Sequence, residues 1–350
     1  MSSVDVRGLA ESAGLQPEAS DTGPLDRLDT DMAHVLRVLA DMSGLPLEKS
    51  TITEARAQPT LQSALSRILR NPPAETGVAM ELGTIPDGAS TLRTRIYTPD
   101  GTAPSGGRPV VLYLHDGSFV TGELDQVDGQ ARQIALRCDA VVVAAHYRQA
   151  PEFKFPAAHE DATTIWKWLV EHASNLGGDE KRLAVVGEGS GGNLALALAL
   201  QARADGDQMP MHIGLVTPMA SMRDDLPSHL EMAGGTPFNS ATLTWATRRL
   251  FADEAEARDP RMNPAGRSDL AGLPPVTLIL ASADPLRSEG EALGKALQGA
   301  GVRVDQTIFE GVTHGFFGLH RVVTKALFAQ TQLARNLKAG FAAPLPKITN

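Results

Sequence analysis

From residue 78 onward, short apolar segments alternate with helix-like segments, and this alternation restricts the fold more than any other feature of the chain. The strand-like segments are VAMELGTI, TLRTRIYTP, PVVLYLHDG, AVVVAAHYR, RLAVVGEG, HIGLVTP, PVTLILASAD and RVDQTIFEG. Helix-like segments such as DGQARQIALRC and SEGEALGKALQGAG lie between the later strands. Alternation on this scale predicts an α/β fold, in which a mostly parallel sheet of eight strands is covered by helices on both faces.

Two helical stretches fall outside this alternation. Residues 1–75 contain the amphipathic segments LDRLDTDMAHVLRVLADMSGL and LQSALSRILR and no strand-like run. Residues 217–262 interrupt the strands with a helical segment rich in Met and aromatic side chains. We expect both stretches to form a helical cap over a core made of residues 76–216 and 263–350.

Composition excludes several classes of protein. The formal net charge of −9 argues against nucleic acid or an anionic membrane as the main partner. No apolar run reaches the length of a membrane span, and the N-terminal sequence lacks the pattern of a secretory signal. The single cysteine, Cys138, excludes an internal disulfide and fits a reducing compartment. We therefore expect a cytoplasmic protein with a small-molecule partner. Whether it forms a homodimer is left open by the sequence.

The segment VVGEGSGGNLALALAL, residues 185–200, has the pattern of a nucleophile elbow, a tight G-x-S-x-G turn between a strand and a helix. Gly187, Gly189 and Gly191 hold the three key positions, and the only hydroxyl belongs to Ser190, one position later. Glycine adopts the positive φ of such a turn freely, whereas serine there costs about 1–3 kcal/mol. We expect the turn to form without a nucleophile at its apex.

Further polar groups follow other strands, at the edge where functional residues of parallel sheets gather. The turn in LYLHDGSFVTG can aim backbone N–H groups at an oxyanion. Asp284 directly follows a strand, where a carboxylate can orient an imidazole, and His314 follows the last strand. The order of elbow, acid and histidine is that of α/β-hydrolases.

Five motifs in sequence order resemble those of the bacterial hormone-sensitive-lipase type of carboxylesterase, from about residue 75 to about residue 320. HDGSF stands for the family's HGGGF, YRQAPEFKFPAAHEDA for YRLAPExxFPAALEDA, and GEGSGGN for GDSAGGN, and DPLRSEG and VTHGFF follow. The resemblance implies an α/β-hydrolase fold with a helical cap. It also implies that Asp284 and His314 are triad members and that the N–H groups of Gly117, Ser118 and Ser190 form an oxyanion hole.

The chain departs from that family at the positions that carry the chemistry. Gly189 stands at the nucleophile position, and Ser190 stands where the family has alanine. Asp116 replaces a glycine of the oxyanion loop; its carboxylate would repel a developing oxyanion if it lies at the hole, and it could instead point into water. We expect His115 to brace this loop and His146 to be a hydrogen-bonded structural histidine.

Three functions fit these residues. The interpretation we favour is acid–base chemistry without an acyl-enzyme, such as cyclisation, elimination or isomerisation of a small apolar carbonyl compound, with the His314–Asp284 pair moving the proton. The second is ester hydrolysis by Ser190 or by water that His314 activates. The third is binding of a small molecule without chemistry.

No His, Cys or acidic residues have the spacing of metal ligands, and GEGSGG is not a dinucleotide-binding fingerprint, so we expect neither a metal nor a cofactor. If the missing hydroxyl is the only defect of the site, Gly189→Ser should create esterase activity.

Overall fold

The computed structural model describes residues 27–88, 90–235 and 237–344, and the eight predicted strands form one sheet. The strands are β1 (Val78–Asp87), β2 (Ser90–Pro99), β3 (Arg108–Leu114), β4 (Val141–Ala145), β5 (Gly178–Glu188), β6 (Ile213–Val216), β7 (Val276–Ala283) and β8 (Val304–Thr313). Their order across the sheet is β1-β2-β4-β3-β5-β6-β7-β8. The β1–β2 and β2–β4 pairs are antiparallel and all other neighbours are parallel, which confirms the predicted mostly parallel sheet.

The α-helices of the described ranges alternate with the strands from β3 onward. They are α1 (Thr30–Ala40), α2 (Ile52–Ala57), α3 (Leu61–Ile68), α4 (Asp128–Cys138), α5 (Ala157–His172), α6 (Ser190–Asp205), α7 (Pro227–Glu231), α8 (Ser240–Leu250), α9 (Arg287–Gly299) and α10 (Thr324–Ala342). None of these helices is long and apolar enough to cross a membrane.

The sheet has an apolar core on each face because its central strands are apolar on both sides. In β3 every residue is buried. Leu112 points into the core that α5, α6 and α9 cover, and its neighbour Tyr113 points into the core that α4 and α10 cover. Side chains of a strand alternate between the faces, so a continuous apolar run fits only a strand that is covered on both sides.

An ion pair fixes the segment between β4 and α5, which runs beside the oxyanion loop. The backbone N–H of Arg148 donates to Asp161 Oδ2 (2.7 Å), and its guanidinium Nε donates to Oδ1 of the same carboxylate (2.8 Å). The side chain of Asp161 is fully buried, and the ion pair compensates for the burial of its carboxylate. Both residues belong to the motif YRQAPEFKFPAAHEDA, whose structural role is thereby explained.

The two helical stretches that we expect to form the cap meet each other. The indole Nε1 of Trp245, on α8, donates to the carbonyl of Ser50, which lies two residues before α2. The first 26 residues of the predicted cap lie outside the described residues, and the remainder contributes α1, α2 and α3. Residues of both stretches line a cavity at the carboxyl ends of the strands.

Candidate active site

The elbow between β5 and α6 has the backbone that its glycines predict. Gly189 adopts φ 50° and ψ −115°, in the region of positive φ that disfavours other residues. A Cβ at Gly187 would collide with the carbonyl of Gly191, so the turn also needs glycine for close approach. The N–H of Gly189 donates to the carbonyl of Val216 (2.9 Å), which ties the turn to β6. The turn of a hydrolase elbow is therefore retained.

The predicted acid and histidine meet beside this elbow. The ring Nδ1 of His314 donates to Asp284 Oδ2 (2.8 Å), and the other oxygen of Asp284 accepts from the N–H of Leu286 (2.8 Å). Both side chains are buried. Because each oxygen of Asp284 has a donor, its carboxylate is held in place and fixes the imidazole of His314.

The carboxylate of Asp116 lies inside the site, which resolves the two placements that the sequence left open. Its Oδ2 lies 2.8 Å from the ring Nε2 of His314. Its Oδ1 accepts from the N–H of Ser190 (2.9 Å) and, at longer range, from the N–H of Ser118 (3.4 Å). Two of the three predicted oxyanion donors therefore already bind a carboxylate oxygen of the protein. The side chain of Asp116 remains 29% exposed, so a molecule in the cavity can reach it.

Asp116 also explains why residue 189 is a glycine. A Cβ built on Gly189 would overlap the carboxylate carbon and both oxygens of Asp116. The carboxylate therefore fills the volume that the side chain of an elbow nucleophile would need. The condition for Gly189→Ser to create esterase activity, that the missing hydroxyl is the only defect of the site, is therefore not met, because a serine at 189 would compete with Asp116 for the same space.

The three side chains form a hydrogen-bonded chain of charges, Asp116–His314–Asp284, in which His314 and Asp284 are buried and Asp116 is partly exposed. Burial disfavours the charged form of His314, but the charge of Asp284 and the hydrogen bond to Asp116 outweigh it and hold the pKa of His314 well above its usual value. Burial likewise raises the pKa of Asp116, but His314 and the N–H groups of Ser190 and Gly117 outweigh it and the pKa is lowered. At neutral pH the resting site thus holds an Asp116 carboxylate and a His314 imidazolium with both ring nitrogens protonated.

Ser190, the only hydroxyl of the elbow, contacts groups other than the histidine. Its Oγ is fully buried and lies 3.1 Å from Tyr147 Oη and 3.2 Å from Asp116 Oδ1. Within the described residues, no hydrogen bond joins this Oγ to His314. This hydroxyl therefore has no adjacent imidazole and no exposed surface, and both the Oγ and the N–H of Ser190 contact Asp116 Oδ1.

His115 and His146 lie behind the oxyanion loop. The Nδ1 of His115 is 2.7 Å from the carbonyl of Asp116, and its Nε2 is 3.2 Å from His146 Nδ1. The ring of His115 also stacks on Tyr147, with 4.4 Å between the centroids. Burial lowers the pKa of both histidines, that of His146 to about 3. These contacts are consistent with the predicted bracing role.

The cavity above these residues has a volume of about 500 Å³. Apolar side chains of the two helical stretches line much of it: Leu39, Leu47, Leu61, Pro237, Phe238 and Trp245. The ring of Phe238 stacks on that of His314 with 4.5 Å between the centroids, so the helical stretch of residues 217–262 directly covers the histidine. In the described parts of the chain, no group of His, Cys, Asp and Glu side chains could hold a metal ion.

One lining residue was missed by the sequence analysis. Glu188 immediately precedes Gly189, is buried, and lines the same cavity. Its Oε1 accepts hydrogen bonds from Tyr113 Oη and from Gln130 Nε2 (3.3 Å for the latter). Burial raises the pKa of Glu188 to about 8, although the charge of His314 lowers it. The signal was present in the motif, since this chain has GEG where the family has GDS.

Comparisons with known proteins agree with this architecture. Residues 111–318 match the sequence model of a family described as having the alpha/beta hydrolase fold. The chain is 38% identical to the esterase LipI of Mycobacterium tuberculosis over 68% of this chain and 75% of that protein. It is 33% identical to an ethyl acetate hydrolase of Pseudomonas putida over 81% of this chain and 88% of that protein.

Solved structures give the same result. An esterase of the archaeon Pyrobaculum calidifontis has a TM-score of 0.79 and 31% identity, over 88% of this chain and 98% of that chain. A thermostable esterase from Pseudomonas putida has a TM-score of 0.83 and 26% identity, over 91% of this chain and 99% of that chain.

Proposed function

This chain belongs to the α/β-hydrolase family, and we propose that it hydrolyses a small, largely apolar molecule through a covalent ester of Asp116. The observation that carries the proposal is that the Asp116 carboxylate fills the space of the elbow nucleophile and bonds to His314. A carboxylate is an established covalent nucleophile when it is ionised and held in position. The lowered pKa of Asp116 provides the first condition and its contacts the second.

In the first step, Asp116 Oδ2 attacks an electrophilic carbon of the substrate. A bond forms between Oδ2 and that carbon, and the leaving group departs with the electron pair of the broken bond. Oδ1 stays with its N–H donors, which keeps the carboxylate in one orientation. The resulting ester is neutral. His314 therefore loses one of its two anionic partners and its pKa falls. It then releases a proton to the leaving group or to solvent and becomes a base.

In the second step, water attacks the carbonyl carbon of that ester while His314 Nε2 removes a proton from the water. Negative charge develops on Oδ1, which already lies against the N–H groups of Ser190 and Ser118, where an oxyanion hole is needed. Oδ2 leaves with the product as its hydroxyl oxygen, and the oxygen of water remains in Asp116. One proton of the water leaves on the product and the other remains on His314, so the resting charges return.

Simple carboxylic esters suit this site less well, although the relatives are named as esterases. A substrate carbonyl would need the N–H groups that Asp116 Oδ1 already binds. Of the two hydrolytic routes expected from sequence, the one through Ser190 needs a hydroxyl that is fully buried, and the one through His314 as a base needs an imidazole that is not already protonated.

Acid–base chemistry without hydrolysis, which the sequence analysis favours, is the second candidate. Its support is that a carboxylate and an imidazolium stand 2.8 Å apart at the floor of one cavity. Asp116 would then be the base and His314 the acid, with no covalent intermediate. The relatives' names favour hydrolysis over this candidate, and binding without chemistry is the remaining outcome if no electrophile reacts.

Trapping the ester tests the proposal. In His314→Gln the first step can proceed while water activation is lost, so the ester should accumulate. We expect the intact mass of this variant to increase on treatment with benzyl bromide, and peptide mapping to locate the adduct at Asp116. The double variant Asp116→Asn/His314→Gln is the control and should carry no adduct there. An unmodified Asp116 in His314→Gln with both benzyl bromide and styrene oxide would overturn the proposal.

A further inference from the structure

Resting on the proposed function, we propose that Glu188 gives a proton to the leaving oxygen and that the substrate is a small apolar epoxide, a strained three-membered cyclic ether. The carboxyl of Glu188 lines the cavity that holds Asp116. The Glu188 carboxyl accepts hydrogen bonds from Tyr113 and Gln130, and within the described residues no hydrogen bond joins it to Asp116 or His314. Glu188 is therefore a carboxyl of the same cavity that is separate from the Asp116–His314 pair.

The geometry of displacement requires such a separate donor. A nucleophile that attacks a saturated carbon approaches opposite the leaving group. His314 Nε2 is hydrogen-bonded to Asp116 Oδ2, the attacking oxygen, so His314 lies on the same side of the substrate carbon as the nucleophile. An oxygen that leaves on the other side needs a proton from elsewhere in the cavity.

Asp116 and Glu188, two of the carboxyls that line the cavity, are in opposite protonation states. Glu188 is 6% exposed, and within the described residues no Lys, Arg or His side chain forms an ion pair with it. Burial raises its pKa to about 8, against the opposing charge of His314, so it holds a proton at neutral pH while Asp116 is ionised. Two carboxyls whose environments separate their pKa values are the arrangement of a catalytic acid and its basic or nucleophilic partner.

A hydrogen-bond acceptor stands beside Glu188. Gln130 is 4% exposed, lines the cavity, and its Oε1 has no hydrogen-bond partner in the described residues, while its Nε2 donates to Glu188. A buried amide oxygen without a donor is costly in a folded protein. The hydroxyl that forms when an epoxide opens would supply that donor, because its oxygen has just received the proton of Glu188.

Epoxides fit this arrangement better than esters or halides do. An ester needs the oxyanion hole for its own carbonyl, and that hole is filled by Asp116 Oδ1. A halide leaves without needing a proton, so Glu188 and Gln130 would serve no purpose. In an epoxide the carbon–oxygen bond breaks, the oxygen keeps the electron pair and takes the proton of Glu188. The proton that His314 then releases returns to Glu188, so that an epoxide and water give a diol with every group restored.

Styrene oxide, a small aromatic epoxide, is the probe. We expect the wild type to form the diol and Glu188→Gln to form it about 100-fold more slowly, which is the usual contribution of one general acid. The matched control is Glu81→Gln, which alters an exposed carboxyl of β1 that does not line the cavity and should leave the rate unchanged. The wild-type rate should fall as pH rises through about 8, because Glu188 then loses its proton. The groups that face Glu188 are the Tyr113 hydroxyl, the Gln130 amide and the charged ring of His314.

Alkylation of Asp116 by benzyl bromide, followed in the His314→Gln background, separates this inference from the proposed function. Bromide leaves without a proton, so adding Glu188→Gln should slow alkylation by styrene oxide but not by benzyl bromide. If both reactions slow equally, Glu188 has a structural role and the inference is overturned. If benzyl bromide labels Asp116 and styrene oxide does not, the epoxide assignment fails while the covalent mechanism stands. If neither reagent labels Asp116, the proposed function itself fails.

Discussion

The carboxylate of Asp116 stands over Gly189, in the space that any side chain at residue 189 would enter. Two departures from the esterase motifs, far apart in sequence, are therefore one change in three dimensions. Glycine at 189 makes room for the carboxylate, and the carboxylate takes the hydrogen bond to His314 that a serine would make. We propose that the site was rebuilt around Asp116, because the Asp284–His314 pair and the backbone donors of Ser190 and Ser118 contact or support its carboxylate.

Restoring an esterase should require both positions to change. Gly189→Ser alone should give no gain in hydrolysis of p-nitrophenyl butyrate, because its Cβ and hydroxyl meet Asp116. Gly189→Ser with Asp116→Gly frees both the elbow and the oxyanion hole, and should raise turnover by about 100-fold or more over the wild type. The serine adds about 1–3 kcal/mol of backbone strain at this positive φ. An equal gain in the single variant would mean that Asp116 does not hold this position in solution.

Asp116→Asn should lower the pKa of His314 towards the ordinary histidine value of about 6.5, because an amide replaces one of the two anions that hold its proton. The measurement is a titration of the imidazole resonances by nuclear magnetic resonance. Ser118→Ala is the control: it keeps the backbone N–H that faces Asp116 and should leave the His314 titration unchanged. A His314 that titrates normally in the wild type would contradict the charge assignment.

The same pair should make stability depend on pH. The folded pKa of Asp116 is lowered, so its contribution is present above the unfolded value of about 3.9 and is lost as pH falls through the folded one. The folded pKa of His314 is raised, so its contribution is complete below about 6.5 and is lost as pH rises through the folded one. The loss of unfolding free energy in Asp116→Asn, measured in urea, should thus be larger near about pH 5.5 than near about pH 9.5. An equal loss of unfolding free energy at the two pH values would show that the Asp116–His314 ion pair does not contribute to stability.

The hydroxyl of Ser190 should be dispensable for hydrolysis. The wild type should hydrolyse p-nitrophenyl acetate slowly, and Ser190→Ala should keep that rate within about twofold, because the backbone N–H is retained and the lost Oγ is fully buried. A stopped assay with purified wild type and variant decides it. Fast wild-type turnover that disappears in Ser190→Ala would revive the hydrolytic mechanism through a displaced serine.

The sequence predicted what depends on periodicity and motif order, and missed what depends on side-chain direction. The eight strands, the elbow and the Asp284–His314 pair follow from apolar alternation and from motifs at strand ends. The direction of the Asp116 side chain does not follow from them. The side chain turns inward because two donors that are distant in sequence, the N–H of Ser190 and Nε2 of His314, meet there. Glu188 was missed for a related reason, because its partners Tyr113 and Gln130 come from separate elements.

Oxygen-18 water tests the covalent role of Asp116 most directly. With enzyme in excess over styrene oxide or, separately, benzyl bromide, a single turnover in labelled water should give product whose new hydroxyl carries unlabelled oxygen from Asp116. After many turnovers, peptide mass spectrometry should find the label in the side chain of Asp116. An unlabelled Asp116 together with labelled product from the first turnover would mean that water attacks the substrate directly, and would contradict the covalent mechanism.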